Sequence, residues 1–204
     1  MKFLVLGGAG YVGSHFVHHA LREGHQCCVV DNLQRGHEEA IPQGVELIVQ
    51  DVRNVELIKE VLLSFKPDVI CHYAAYALVG ESVAEPHKYY DNNLLAIIKV
   101  LNAMIELHYY VPFIFSSSCS IFGFVDRLPI DENTPKNPSS PYGYTKYMAE
   151  RIIEDICISH GLSAVALRYF NACGADPFSD IGEDHDPETH LIPSIIKSVV
   201  EEKE

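Results

Sequence analysis

The sequence predicts an α/β chain built on a doubly wound parallel sheet, and three observations carry that prediction. Short apolar runs alternate along the whole chain with longer segments of helical period. The runs are nearly continuous in apolar residues, which suits parallel strands covered by helices on both faces and not a sheet with one wet face. A glycine-rich turn, "GGAGYVG" (7–13), joins the first run directly to the first helical segment.

Taken in order, the strands are expected at 2–7 ("KFLVLG"), 27–32 ("CCVVDN"), 45–51 ("VELIVQD"), 68–74 ("DVICHYA"), 113–118 ("FIFSSS") and 163–170 ("SAVALRYF"). Helices are expected at 11–23, 54–65, 88–108 and 142–160, each with apolar residues returning every three to four positions. The Pro-rich segments 126–141 and 171–193 are expected to be irregular. The last stretch, "LIPSIIKSVVEEKE" (191–204), reads as a helix running to the end of the sequence without a cap.

With 15 basic and 28 acidic residues among 204, the formal net charge is −13. Partners selected by a basic footprint, nucleic acid and anionic membrane surfaces, are thereby disfavoured. Cys27, Cys28, Cys71, Cys119, Cys157 and Cys173 show neither a C-x-x-C pair nor a disulfide-framework spacing, and four lie in apolar strand runs. They read as reduced packing residues of a cytoplasmic protein. The apolar run after Met1 is too short for a signal peptide, and no run is long enough to span a bilayer.

Gly7, Gly10 and Gly13 have the spacing G-x-x-G-x-x-G at a strand-to-helix turn. Without Cβ atoms the backbone can turn sharply there and approach a pyrophosphate, whose charge meets the free N–H groups of the helix start. A plain tight turn would use the same residues. Asp31 decides between the two readings: it closes the second strand, where a carboxylate accepts the adenosine-ribose hydroxyls and repels a 2′-phosphate, so the expected cofactor is NAD rather than NADP. The fold is then of the Rossmann type. His15, His18 and His19 share a helix face opposite the apolar stripe Val12, Phe16, Val17, Ala20 and Leu21, and are expected to point mostly to solvent. "GEDHDPETH" (182–190) gathers acids and histidines and is expected to be a solvated loop. No metal site is expected.

In "SPYGYTKYMAE" (140–150), only Tyr142 has a lysine four residues on, Lys146, which puts phenol and ammonium on one helix face. Ser139 or Ser140 with Pro141 suits the start of that helix. The spacing alone decides little, but Ser118 closes the fifth strand. A glycine loop, Asp31, Ser118 and Tyr142-x-x-x-Lys146 together resemble the extended short-chain dehydrogenase/reductase superfamily and, within it, the UDP-glucose 4-epimerase family. The stretches that carry the resemblance are "GGAGYVGSH", "VVDNL", "DVRN", "VGESV", "YYDNN", "FIFSSSCSIFG", "SPYGYTK" and "LRYFNACGAD", in the expected order along the whole chain. A sugar-nucleotide dehydratase of that superfamily would carry Thr-Asp-Glu where this chain has "SSCSIFG".

The resemblance implies a role for each matching position. Gly7, Gly10, Tyr11, Val12 and Gly13 would line the pyrophosphate, Asp31 and Asn32 the adenosine ribose, Asp51 and Val52 the adenine. Asn92, Tyr142, Lys146 and Tyr169 would lie at the nicotinamide half. Ser118, Tyr142 and Lys146 would be catalytic, with Ser118 and Tyr142 on the sugar's 4-hydroxyl, and Asn171, His190 and Leu191 would bind the UDP part. Ala77 stands where the family often has a lysine that touches the cofactor. Implied too are a UDP-sugar substrate and interconversion of UDP-galactose and UDP-glucose through a 4-keto intermediate. A sister reaction on a UDP-arabinose or UDP-N-acetylhexosamine, or an inactive NAD-binding homologue, are the alternatives. A homodimer through helices 88–108 and 142–160 is also implied. On this resemblance, 1–170 would form the NAD-binding domain and 171–204 the start of a UDP-sugar-binding region whose greater part lies beyond this sequence.

The chemistry sets one further expectation. A base that removes the alcohol proton must be deprotonated, and moving a phenol from about 10 to about 7 takes roughly 4 kcal/mol of preference for the phenolate. Lys146 one turn away and the positive nicotinamide ring of NAD are expected to supply it together, drawing Tyr142 down.

Overall fold

A computed structural model describes residues 1–186 and 188–201. Its sheet has six strands: β1 (Lys2–Leu6), β2 (Gln26–Asp31), β3 (Glu46–Val49), β4 (Val69–His72), β5 (Phe113–Ser118) and β6 (Ala164–Tyr169). They lie in the order β3-β2-β1-β4-β5-β6 and every neighbouring pair is parallel. The helices are α1 (Tyr11–Arg22), α2 (Val55–Phe65), α3 (Val79–Ala84), α4 (Pro86–Tyr89), α5 (Leu95–Glu106), α6 (Pro141–His160) and α7 (Leu191–Val200).

Strand alternation divides the core in two. Leu4 and Leu6 of β1 turn to one face with Cys28, Val30, Ile70, Phe113 and Phe115, against Ile58 and Leu62 of α2, Ile97, Val100, Leu101 and Met104 of α5, and Ile153 of α6. Phe3 and Val5 turn to the other, with Val29 and Cys71, against Val17 and Ala20 of α1. Each of these aliphatic side chains, at or near zero exposure, contributes on the order of 1.5–3 kcal/mol from burial. Because the chain leaves neighbouring β1 and β4 toward opposite halves of the sheet, to β2 and to β5, a crevice opens between their C-terminal ends, where doubly wound sheets bind ligands.

Three elements differ from the sequence reading. The helix expected over 88–108 is broken: α4 ends at Tyr89, a π-helical turn covers Tyr90–Leu94, and α5 follows. The apolar period runs on through "YYDNNLLAIIKV", so the extra residue in the turn leaves no mark on the pattern. Helix α3, in the segment between β4 and α4, is too short to show periodicity. Strand β6 is the sheet edge and is not covered on both faces: Val165 and Leu167 are exposed, as are Ile195, Ile196 and Val199 of α7. Helix α7 starts at Leu191 despite Pro193, because the first turn of a helix needs no N–H donor there. Of the helix expected to reach Glu204, residues 202–204 lie outside the described residues, as does Pro187 of the acidic loop.

Candidate active site

The glycine turn follows from steric demands that differ at each position. Gly7 has φ +80, and a Cβ on it would meet the Ala74 amide nitrogen at 2.3 Å, so the loop after β1 and the loop after β4 close on each other there. A Cβ on Gly13 would sit 2.2 Å from the Gly7 carbonyl oxygen; this glycine lets α1 pack down on the turn. Gly10 is different. Its nearest neighbour for a Cβ is the same oxygen at 3.6 Å, so internal packing does not demand glycine. Gly10 is the N-cap of α1 and offers no capping side chain, which leaves the first N–H groups of the helix bare for an anion.

A cleft opens in front of this turn, lined by Gly7, Gly10, Asp31, Asn32, Asp51, Val52 and Asn92 among the expected residues. Asp31 is buried and fixed by backbone donors: the Ala9 N–H reaches its Oδ2 at 3.0 Å and the Leu33 N–H its Oδ1 at 2.9 Å. The Asn32 side chain accepts from the Gln34 N–H at 3.1 Å. The Asp51 carboxylate is clasped by Arg53, with Nη2 at 2.6 Å from Oδ2, and Arg53 in turn pairs with Asp91. Hydrogen bonding from Arg53, opposed by partial burial, holds Asp51 below the usual carboxylate range. Asn92 lies in the π-helical turn, and its neighbour Asn93 ties that turn to the Tyr76 backbone at 2.9 Å and to Thr145 of α6 at 3.1 Å.

Helix α6 begins as the sequence implies, with Ser140 accepting from the Gly143 N–H at 3.2 Å and Pro141 at the first helical position. One turn in, Lys146 is buried and its Nζ donates to the Ser116 carbonyl of β5 at 2.7 Å, 5.8 Å from the centroid of the Tyr142 ring. Ser118 ends β5 beside them; it accepts from the Ser120 N–H at 3.1 Å and pairs in register with Tyr169 of β6. Tyr142 stands edge-on to Tyr89, with centroids 6.4 Å apart, and Tyr89 borders Tyr76 of the cleft wall at 5.8 Å. Tyr169 neighbours Tyr73, another wall residue, and the two phenols influence each other's titration.

The electrostatics of this pair correct the part of the expectation that rested on Lys146. Burial pushes the Tyr142 phenol up, a hydrogen bond with Ser118 working against it, and burial pulls the Lys146 ammonium down to about 7. Lys146 therefore does not draw the phenol down here: the desolvation that surrounds both groups disfavours both charges. Behind them the buried His72, closing β4, is held neutral, down to about 3, first by burial and then by Lys146.

Other expected residues lie elsewhere. Val12 and Gly13 sit in the first turn of α1 and do not line the cleft. Tyr11 turns its hydroxyl to the Gly174 carbonyl at 2.8 Å, toward the segment after β6. Asn171 and Leu191 are exposed and His190 partly so; none of the three lines the cleft. His19 alone of the three helix histidines is exposed: His15 Nδ1 meets the Tyr11 carbonyl at 2.9 Å and His18 Nε2 the Ala40 carbonyl at 3.0 Å. Gly36, Arg35, Tyr73 and Tyr76 also line the cleft and were missed. A signal existed for them: "NLQRG" follows Asp31 and "YAAY" follows β4, both at strand ends that flank the crevice. A Cβ on Gly36 would lie 2.7 Å from the Ala9 carbonyl carbon.

Among known proteins, the family described as NAD dependent epimerase/dehydratase matches residues 3–204. The chain is 46% identical over 200 residues to a UDP-glucose 4-epimerase of Lactobacillus helveticus, covering 98% of this chain and 60% of that protein. It is similar to the crystal structure of UDP-glucose 4-epimerase from Brucella ovis in complex with NAD, with a TM-score of 0.95 and 41% identity over 98% of this chain and 61% of that one. The enzyme of that name from Bifidobacterium longum, in complex with NAD+ and UDP, gives 0.91 at 34% identity, over 98% of this chain and 62% of that one. The chain thus spans about 60% of the length of the curated relatives it matches.

Proposed function

The chain belongs to the NAD dependent epimerase/dehydratase family, and from that premise we propose that it carries the cofactor half and the catalytic pair of a UDP-glucose 4-epimerase, acting between UDP-galactose and UDP-glucose through a 4-keto sugar. The observation that carries the reading is the convergence of Tyr142, Lys146 and Ser118 at one end of β5, beside a crevice built for a dinucleotide.

The residues of the crevice fit NAD. The bare N-terminus of α1 at Gly10 suits the pyrophosphate, and the Asp31 carboxylate, oriented by two backbone N–H groups, suits an unphosphorylated ribose. When bound, NAD would supply a hydride acceptor that returns the hydride to the same carbon. Tyr142 removes the proton of the sugar's 4-hydroxyl and Ser118 orients that oxygen. The Lys146 amine adds a means of holding the base form. A phenol beside a neutral amine carries as many protons as a phenolate beside an ammonium, so the pair reaches its basic state by moving a proton internally, without releasing one to water. The amine's anchor on the Ser116 carbonyl keeps it over the Tyr142 ring while it does so.

Tyr144, Tyr147 and Met148 of α6 are exposed, as is Leu95 at the start of α5. This apolar stripe supports a homodimer through these two helices. The test of the function is turnover. NAD binding to the purified chain is measured first, then nicotinamide reduction and sugar conversion on adding UDP-galactose. Tyr142→Phe should keep NAD and lose both reactions, and Tyr144→Phe should keep all. Reaction in the Tyr142→Phe protein equal to that of Tyr144→Phe would sink the assignment.

A further inference from the structure

The acidic loop between β6 and α7 is not the solvated segment that its composition suggests. Glu183 and Glu188 have side chains only 8% and 14% exposed, and both turn inward toward His185 and His190. His190 Nδ1 lies 3.0 Å from Glu183 Oε1 and 2.9 Å from Glu188 Oε1; His185 Nδ1 lies 3.5 Å from Glu183 Oε1 and 3.6 Å from Glu188 Oε2. One ligand atom from each of the four falls within 4.8 Å of all the others.

Those separations have a chemical meaning. Zinc holds imidazole nitrogen and carboxylate oxygen at about 2.0–2.2 Å in a tetrahedron, whose edges are then about 3.4 Å. With Glu188 Oε2 as that residue's ligand atom, three edges are fixed near this value, His190 Nδ1–Glu183 Oε1, His185 Nδ1–Glu183 Oε1 and His185 Nδ1–Glu188 Oε2, at 3.0, 3.5 and 3.6 Å. A set of two imidazoles and two carboxylates is also a common choice for borderline divalent ions such as zinc. Two largely buried carboxylates face each other with only histidines between them, so a divalent cation would neutralise charge that the loop otherwise confines. His185 Nδ1 is buried and lacks a hydrogen-bond partner although it faces this centre, the position of a ligand atom and not of a packing ring. Glu188 divides its two oxygens: Oε1 accepts the His190 N–H at 2.7 Å, and Oε2 is turned to His185.

The surroundings hold the set in place. His37 Nε2 meets the Asp184 carbonyl at 3.2 Å and Arg35 Nη1 donates to the Asp186 carbonyl at 3.0 Å, so both flanks of His185 are pinned to the segment after β2. The Tyr11 ring stands edge-on to His185 with centroids 6.1 Å apart, and His185 and His190 face each other at 4.6 Å.

From this we propose that Glu183, His185, Glu188 and His190 form a tetrahedral binding site for one divalent transition-metal ion, zinc in the first place, which fastens the loop before α7 to the glycine turn through Tyr11. The inference stands apart from the catalytic reading, would hold for a chain without turnover, and gives His190 Nδ1 to the metal rather than to the UDP part.

The experiment is calorimetric titration of the purified, metal-free chain with zinc chloride, paired with cobalt(II) absorption. One zinc should bind per chain, and cobalt should give the intense visible bands of a tetrahedral centre. Glu183→Gln and His185→Ala should each weaken zinc by about tenfold or more and remove the tetrahedral cobalt spectrum. NAD binding by the same variants reports that they are folded. Absence of stoichiometric binding by the parent chain, or unchanged zinc affinity in the folded double variant, would overturn the proposal and assign the four side chains to an internal ion-pair cluster. Octahedral cobalt bands at full stoichiometry would overturn the tetrahedral assignment.

Discussion

Replacing Lys146 by Met removes an amine that the fold holds against its own charge, and the consequence is a change in how stability responds to pH. Burial lowers the Lys146 pKa from 10.5 to about 7. At about 1.4 kcal/mol per unit, that amounts to roughly 5 kcal/mol against the charged form in the folded chain. The sign follows from proton counting. Below pH 7 both folded and unfolded chains bind the proton, and the full cost is present. Between 7 and 10.5 the unfolded chain keeps a proton that the folded chain has released, so stability rises with pH. Other groups titrate there as well, the buried thiols among them, and the Met variant cancels them in the difference. Losing the hydrogen bond to Ser116 costs the variant a constant amount, about 1 kcal/mol. The assay is urea unfolding of both chains, without cofactor, at intervals from pH 7 to 9. The parent should gain about 2 kcal/mol on the variant across that interval. A difference that stays flat would show that the amine is solvated, and the internal proton transfer proposed for the pair would lose its basis.

The glycines separate folding from binding. Gly13→Ala, whose Cβ would lie 2.2 Å from the Gly7 oxygen, should destabilise by several kcal/mol, on the order of an overpacked core, seen as a lost or much lowered thermal transition. Gly10→Ala should melt within about 1 kcal/mol of the parent and bind NAD markedly less well by titration. Glu150 accepts from Ser117 at 2.6 Å and takes Arg168 in a fork at 2.9 and 2.8 Å, joining β5, α6 and β6; Glu150→Ala should cost about 3 kcal/mol in urea. Native thiol labelling should reach exposed Cys173 first and Cys27, Cys28 and Cys71 last, since burial raises those three to about 11, 12 and 12; peptide mapping over time checks the order.

What could be read in advance was what local sequence determines. Strand and helix ends agree to a residue or two from β1 to β4 and again from β5 to β6, because glycine turns and the apolar periods are local signals. The same holds for the spacing of Tyr142 and Lys146, which one helix turn fixes. Their charge states could not be read, since these depend on how Ser116, Phe115 and Tyr89 desolvate the pair, contacts made across the sheet. The glycine-like behaviour of Gly13 and the open position at Gly10 look alike in a motif and differ only in what lies opposite. The convergence of His185 with Glu183 was hidden for a related reason: a loop's composition says nothing of which way its side chains turn, and here Arg35 and His37, far off in sequence, turn them inward.

The π-helical turn at Tyr90–Leu94 acts as a phase shift in the middle of a rod. Ahead of it, Tyr89 is aimed at Tyr142; behind it, Ile97, Val100 and Leu101 are aimed at the sheet. A regular helix of the same length could not satisfy both aims, because the two patches are out of step by one residue, about 100° of rotation. The length of this segment is therefore constrained more tightly than its composition. Single substitutions at Tyr90 or Asp91 leave the phase intact, whereas deletion of one residue between 90 and 94 would straighten the helix and swing the tyrosine wall away from the lysine–tyrosine pair.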